Sequence, residues 1–100
     1  MSDLDATPHV RLALHGAIDS SNARTGLDLV MRADALPGDA VTLDLSDVDF
    51  IDSSGISMLL KIRSYLDDMG CRFVLVNPSA QVVRVLTIVG LNEMFAVDDA

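Results

Sequence analysis

Apolar residues along this chain change their spacing from two to about 3.6 and back, and those changes divide it into alternating elements. In VRLALH (10–15), Val10, Leu12 and Leu14 fall on one side and Arg11, Ala13 and His15 on the other. That is the pattern of a strand with one wetter face. Residues 16–19 turn the chain. Across 20–33, Ala23, Leu27, Val30 and Met31 lie along one side of a helix that Asp19 or Ser20 can cap. Gly26 weakens this helix by about 1 kcal/mol relative to alanine. Leu36, Pro37, Gly38 and Asp39 have the composition of a turn. VTLDL (41–45) alternates again, with Val41, Leu43 and Leu45 expected inside and Thr42 and Asp44 outside. From Ile56 onward, Leu59, Leu60, Ile62, Leu66 and Met69 keep helical spacing, and Gly70 stands where a C′ glycine ends a helix. RFVLVN (72–77) is a nearly continuous apolar run, as in a central strand, and Pro78 stops it. A third helix is predicted over 79–89, with Val82, Val85, Leu86 and Val89 as its buried stripe. Gly90 closes it, and Leu91 with Phe95 is expected to pin the tail.

The predicted order is strand, helix, strand, helix, strand, helix. Strands joined through helices with short connections run parallel, with right-handed crossovers. Two of the three strands alternate instead of being apolar on both faces. The expected fold is therefore α/β: a small, mainly parallel sheet with its helices packed on one face. Residues 1–9 read as a short flexible N-terminus and 10–97 as a single domain.

Composition narrows the function. With 100 residues, half of them apolar, the chain is one domain with one core, and its composition argues against disorder. A net charge of -8, from 15 acidic and 7 basic residues, repels nucleic acid backbones and anionic membrane surfaces. A basic or mixed protein surface is the better match. Cys71 is the single cysteine, so there is no internal disulfide framework, and a reducing compartment suits it. MSDLDATP lacks the basic and apolar regions of a secretory signal, and charged residues break every apolar run before it reaches bilayer length. These features lead us to expect a soluble, cytoplasmic protein.

Candidate catalytic chemistry is sparse. His9 and His15 have no second ligand type at useful spacing, so no metal site is expected. Cys71 has only Arg72 as a nearby cation, and a small residue packs comfortably between a helix end and a strand. No phosphate-cradling glycine loop occurs, and Asp52 stands where a nucleophile elbow has glycine. A hydrolase triad would need His15 beside Ser54 with a carboxylate behind it. The chain is read as a non-enzyme, with no cofactor of its own.

FIDSSGISMLLKI (50–62) carries the remaining chemistry. Asp52 or Ser53 can serve as an N-cap, which explains one such residue in backbone terms. Two serines exceed that need, Gly55 can admit another protein's backbone, and the hydroxyls sit where a strand meets a helix, the usual ligand position in open α/β sheets. A phosphate on Ser54 would add about -1.5 to -2 charges at a helix N-terminus that tolerates an anion. A docked partner would have to bury that charge beside Asp52. The same modification therefore spares the fold and breaks a contact.

DLSDVDFIDSSGISMLL (44–60) resembles the signature of STAS domains, specifically of bacterial anti-sigma factor antagonists. GAID (16–19) and VNPSAQVVRVLTIVGLNEMF (76–95) are similar to the family's earlier strand end and closing segment. The resemblance covers about residues 10–95 and implies a βα superhelix and a partner switch. In that switch, unmodified antagonist binds an anti-sigma factor serine kinase and releases the sigma factor. Phosphorylation of the second serine, Ser54, ends the binding, and a serine phosphatase of the metal-dependent class restores it. Asp19 matches a family aspartate near the phosphoacceptor, and Asp52, Ser53, Gly55 and Ser57 carry over as partner-binding neighbours. ATP and metal would belong to the partners. The chain departs from the family pattern in two places: the strand that usually precedes VRLALHG is expected to be short or missing, leaving an edge open to pairing, and Ser57 replaces a common glycine. The alternatives are a STAS interaction module of a transporter or stress-signalling complex and, from another class, a small serine hydrolase.

Overall fold

The structure, a computed structural model, describes residues 10–91 and the backbone of 9 and of 96–98. The elements in chain order are β1 (His9–Ile18), α1 (Ala23–Arg32), β2 (Ala40–Ile51), α2 (Ser53–Met69), β3 (Arg72–Val76), α3 (Ala80–Ile88) and β4 (Ala96–Asp98). All three strand pairings are parallel, and the strands lie side by side in chain order, β1-β2-β3-β4. Right-handed crossovers that always step to the next strand in the same direction put every helix on the same face. The core reports that placement. Val30 of α1, Leu59, Ile62 and Leu66 of α2, and Val82 and Leu86 of α3 join one cluster with Leu14, Leu43, Leu45 and Leu75 from alternate strand positions. The expected fold class is the observed one. β4 was not among the three predicted strands, because three residues are too few to show a period. Residues 1–8 and Phe95 lie outside the described residues, whereas Leu91 packs against the core as expected. No helix among the described residues is long and apolar enough to cross a membrane.

Residues 45–51 of β2 are strand, although their burial repeats every three residues. Leu45, Val48 and Ile51 are buried, while Ser46, Asp47, Asp49 and Phe50 are exposed. A regular strand cannot give that spacing, since its side chains alternate at period two. Two irregularities in the β1–β2 register supply the extra residues. β2 uses three residues from Asp44 to Asp47 where β1 uses two, and two from Val48 to Phe50 where β1 uses one. Each bulge returns an apolar residue to the core face. The strand ends in the pair Ile18↔Ile51, so Asp19 and Asp52 follow paired residues on adjacent strands.

Five local expectations need correction. Residues 16–18, read as part of a turn, continue β1, so the turn starts only at Asp19. Val89, placed on the buried stripe of the third helix, is exposed just beyond the end of α3, whose buried residues are Val82 and Leu86. Thr42, predicted to face outward, is buried, because Arg11 and Val74 flank it across the ladder of an inner strand. Met31, placed on the inner side of α1, is exposed. The buried stripe runs through Gly26 and Val30, and five residues beyond Gly26 is about 140° around the helix. α1 itself begins at Ala23 after Asn22, so neither Asp19 nor Ser20 caps it. The other helix ends follow the sequence. Gly70 takes the left-handed conformation (φ 77°), with its N–H donating to Asp67 and Leu66 carbonyls, and the Ser79 hydroxyl accepts from the Val82 N–H at 3.3 Å.

Candidate functional site

The carboxyl ends of β1 and β2 assemble the site. The Asp52 N–H donates to the Ile18 carbonyl at 3.2 Å, tying the two strand ends together. The Asp52 side chain then caps α2: Oδ1 accepts from the Ser54 N–H at 2.8 Å and the Gly55 N–H at 3.2 Å. Ser53 is thereby the first helical residue and not the cap. Asp52→Ala is expected to cost about 1 kcal/mol of stability, and Asp52→Asn much less, as read by urea denaturation. Equal stability of all three proteins would mean that the cap is idle in solution.

Asp19 holds the turn between β1 and α1. Its Oδ1 accepts from the Ser21 hydroxyl at 2.6 Å and the Ser21 N–H at 2.9 Å, and these two bonds lower its pKa from the ordinary 3.8. Asn22 completes the turn by donating to the Ala17 carbonyl at 2.7 Å and accepting from the Asp19 N–H at 2.9 Å. Because the folded pKa is depressed, the stabilisation from Asp19 is present above 3.8 and is lost as pH falls through the lower folded value. The Ser21 amide resonance is therefore expected to titrate with an apparent pKa below 3.8. A midpoint at or above that value would show Asp19 free of Ser21.

The serines of the first turn border a groove of about 540 Å³ between α1 and α2. Ser54 is half-buried and Ser53 and Ser57 are exposed, and all three line this groove, so a visiting enzyme can reach them. Ser20 and Arg24 line the α1 side, and Lys61 continues the Ser53–Ser57 stripe along α2 at four-residue spacing. The sequence reading missed Arg24 and Lys61. The i, i+4 stripe of Ser53, Ser57 and Lys61 was visible in principle, but the apposition of Arg24 depends on how the helices pack. Gly55 has a different role from the one expected. It is buried, and a side chain there would meet Ile18 and Ile51, so the close approach it permits lies inside the protein.

Other candidates are placed elsewhere. His15 Nδ1 is 3.2 Å from Asp47 Oδ2 on the open side of the sheet, and no histidine is among the residues lining the groove. The buried Cys71 thiol donates to the Leu36 carbonyl at 3.3 Å. Among the described residues no three histidine, cysteine or acidic side chains gather as a metal site. The strand order of the described sheet never reverses, so the site lies at the strand ends without the crevice that a reversal creates.

Comparisons with known proteins agree with this architecture. A segment of 59 residues is 36% identical to a candidate anti-sigma factor antagonist of Thermotoga neapolitana, homologous to TM1081, and covers 59% of this chain and 52% of that one. A segment of 47 residues is 45% identical to sulfate transporter 3.1 of Arabidopsis thaliana, covering 47% of this chain and 7% of the transporter. The matches thus span about half of one curated relative and a small part of the other. Among solved structures, a candidate anti-sigma factor antagonist of Thermotoga maritima superposes with a TM-score of 0.78 at 26% identity, over 92% of this chain and 80% of that one. The STAS domain family model matches residues 3–100. Over nearly its whole length, then, the chain belongs to the STAS domain family.

Proposed function

We propose that this protein is an anti-sigma factor antagonist whose binding is switched by phosphorylation of Ser54. The observation that carries the reading is the position of Ser54: half-buried in the first turn of α2, lining a groove, at the paired ends of β1 and β2. The names of two similar proteins support the class of partner. In the unmodified state the surface around Asp19, Asp52, Ser53 and Ser57 docks an anti-sigma factor serine kinase, and the sigma factor is released. Gly55 contributes from within, by letting α2 start close against the two strand ends. In the switching step Ser54 Oγ bonds to the γ-phosphorus of ATP held by the kinase, the bond to ADP breaks, and the hydroxyl proton passes to a kinase base. A metal-dependent serine phosphatase reverses the state by hydrolysis, releasing inorganic phosphate and restoring the hydroxyl. The chain itself supplies an acceptor and a docking surface, with no cofactor, nucleic acid or membrane required.

Incubation with the cognate kinase and ATP, followed by peptide mass spectrometry, tests the assignment. Phosphate on Ser54, absent from Ser54→Ala, is the expected result, and phosphate on another residue or none would overturn it. A second reading, an interaction module of a transporter, is favoured by the 45% identity to the plant sulfate transporter segment. It predicts recovery of transporter subunits in a pull-down and indifference to Ser54 substitutions.

A further inference from the structure

The groove beside Ser54 has a charge opposite to that of the chain around it. The protein carries 15 acidic and 7 basic residues, yet among the described residues those lining the groove with a charge are Arg24 and Lys61, with no carboxylate. Neither cation has an ion-pair partner among the described residues, where the pairs are Arg11–Asp44 and His15–Asp47. Two unpaired cations from different helices thus face the same groove as the Ser54 side chain.

A phosphate on Ser54 needs such charges, because the helix start cannot serve it. The Ser54 and Gly55 N–H groups already donate to Asp52 Oδ1, so the backbone donors expected to receive the anion are taken by another anion. With about -1.5 to -2 charges, the phosphate is repelled by Asp52, and the counter-charges that line its groove are Arg24 and Lys61. Lys61 lies seven residues along α2, on the same side as Ser54 and about 10 Å up the axis. Long helical side chains lean toward the N-terminus, which brings its ammonium back toward position 54. Arg24 approaches from the opposing wall with a planar fork suited to two phosphate oxygens.

Resting on the reading of Ser54 as phosphoacceptor, we infer that phosphorylated Ser54 is clamped by Arg24 and Lys61 of its own chain. The clamp bridges α1 and α2 across the groove and removes both cations from the surface that a partner meets. It explains how an acidic chain accommodates a further dianion beside Asp52.

The test installs phosphoserine at position 54 during translation, so no kinase is involved, and follows the phosphate by 31P NMR as pH is varied. An unpaired phosphoserine has its second pKa near 6. The wild-type chain is expected to titrate at least about half a unit lower than the Arg24→Gln/Lys61→Gln variant, and the difference should shrink at high salt. Arg24→Lys should retain more of the shift than Arg24→Gln. Identical titrations of wild type and double variant, with both chains folded by circular dichroism, would overturn the clamp. The outcome is independent of the partner switch: a kinase that ignores Ser54 removes the switch and leaves the titration unchanged, whereas identical titrations of the two chains remove the clamp and leave the switch.

Discussion

A phosphate on Ser54 is expected to weaken the complex with the anti-sigma factor by roughly a hundred- to several-thousandfold, while the free chain keeps its fold. Both halves follow from where the hydroxyl sits. Ser54 is half-buried at a groove rather than enclosed in the core, so a phosphate there displaces no core side chain. A docked partner covers that groove and must bury the added charge beside Asp52 or strip it from its counter-ions. Charges forced into a dry interface without full compensation cost on the order of 3–5 kcal/mol, which is the affinity loss given above. Ser54→Asp carries a single, shorter charge and should lose affinity in the same direction by less. Ser54→Ala removes the acceptor and should bind as the unmodified protein does, insensitive to kinase and ATP. Calorimetric titration of the four forms against the anti-sigma factor measures this directly. Equal affinities of the phosphorylated and unmodified forms would remove the switch, whatever the fold.

Gly55→Ala is expected to destabilise the fold by about 1–3 kcal/mol, whereas Gly26→Ala stays within about 1 kcal/mol of the wild type. The two glycines are both buried on helices, and what surrounds them decides the difference. A methyl group at Gly55 would stand 2.5 Å from Ile51 Cγ1, 2.9 Å from Ile18 Cγ2 and 3.1 Å from the Ile18 carbonyl oxygen. That carbonyl accepts the Asp52 N–H, so it cannot withdraw without loosening the bond that joins the strand ends. At Gly26 the added methyl meets the Met58 thioether, with Leu14 farther off. Methionine is unbranched and can turn aside, and the gain in helix propensity offsets the crowding. For a domain of this size each kcal/mol shifts Tm by about 4–8 °C, so a thermal melt separates the two variants. A Gly55→Ala protein as stable as the wild type would show that α2 sits farther from the strand ends than described.

Much of this protein was determined by its sequence alone. Period-two and helical spacing located β1, the first half of β2, α2 and α3, because a half-buried strand and an amphipathic helix leave their periods in local residue order, and a continuous apolar run located β3. Gly70 and Ser79 marked helix ends through backbone chemistry that acts over a few residues. The DSSG segment was legible as a candidate site for the same reason: its serines, aspartate and glycine are contiguous. What only the tertiary structure decided depends on residues far apart in the chain. The burial of Thr42 comes from its neighbours on two other strands, and the three-residue repeat of 45–51 becomes a strand only through register shifts against β1. Gly55 makes room for Ile18, 37 positions earlier, and no local pattern records that contact. The same holds for the groove. Arg24 and Lys61 are separated by most of α1, the whole of β2 and the first half of α2, and the packing of α1 against α2 is what sets two cations in one groove with Ser54.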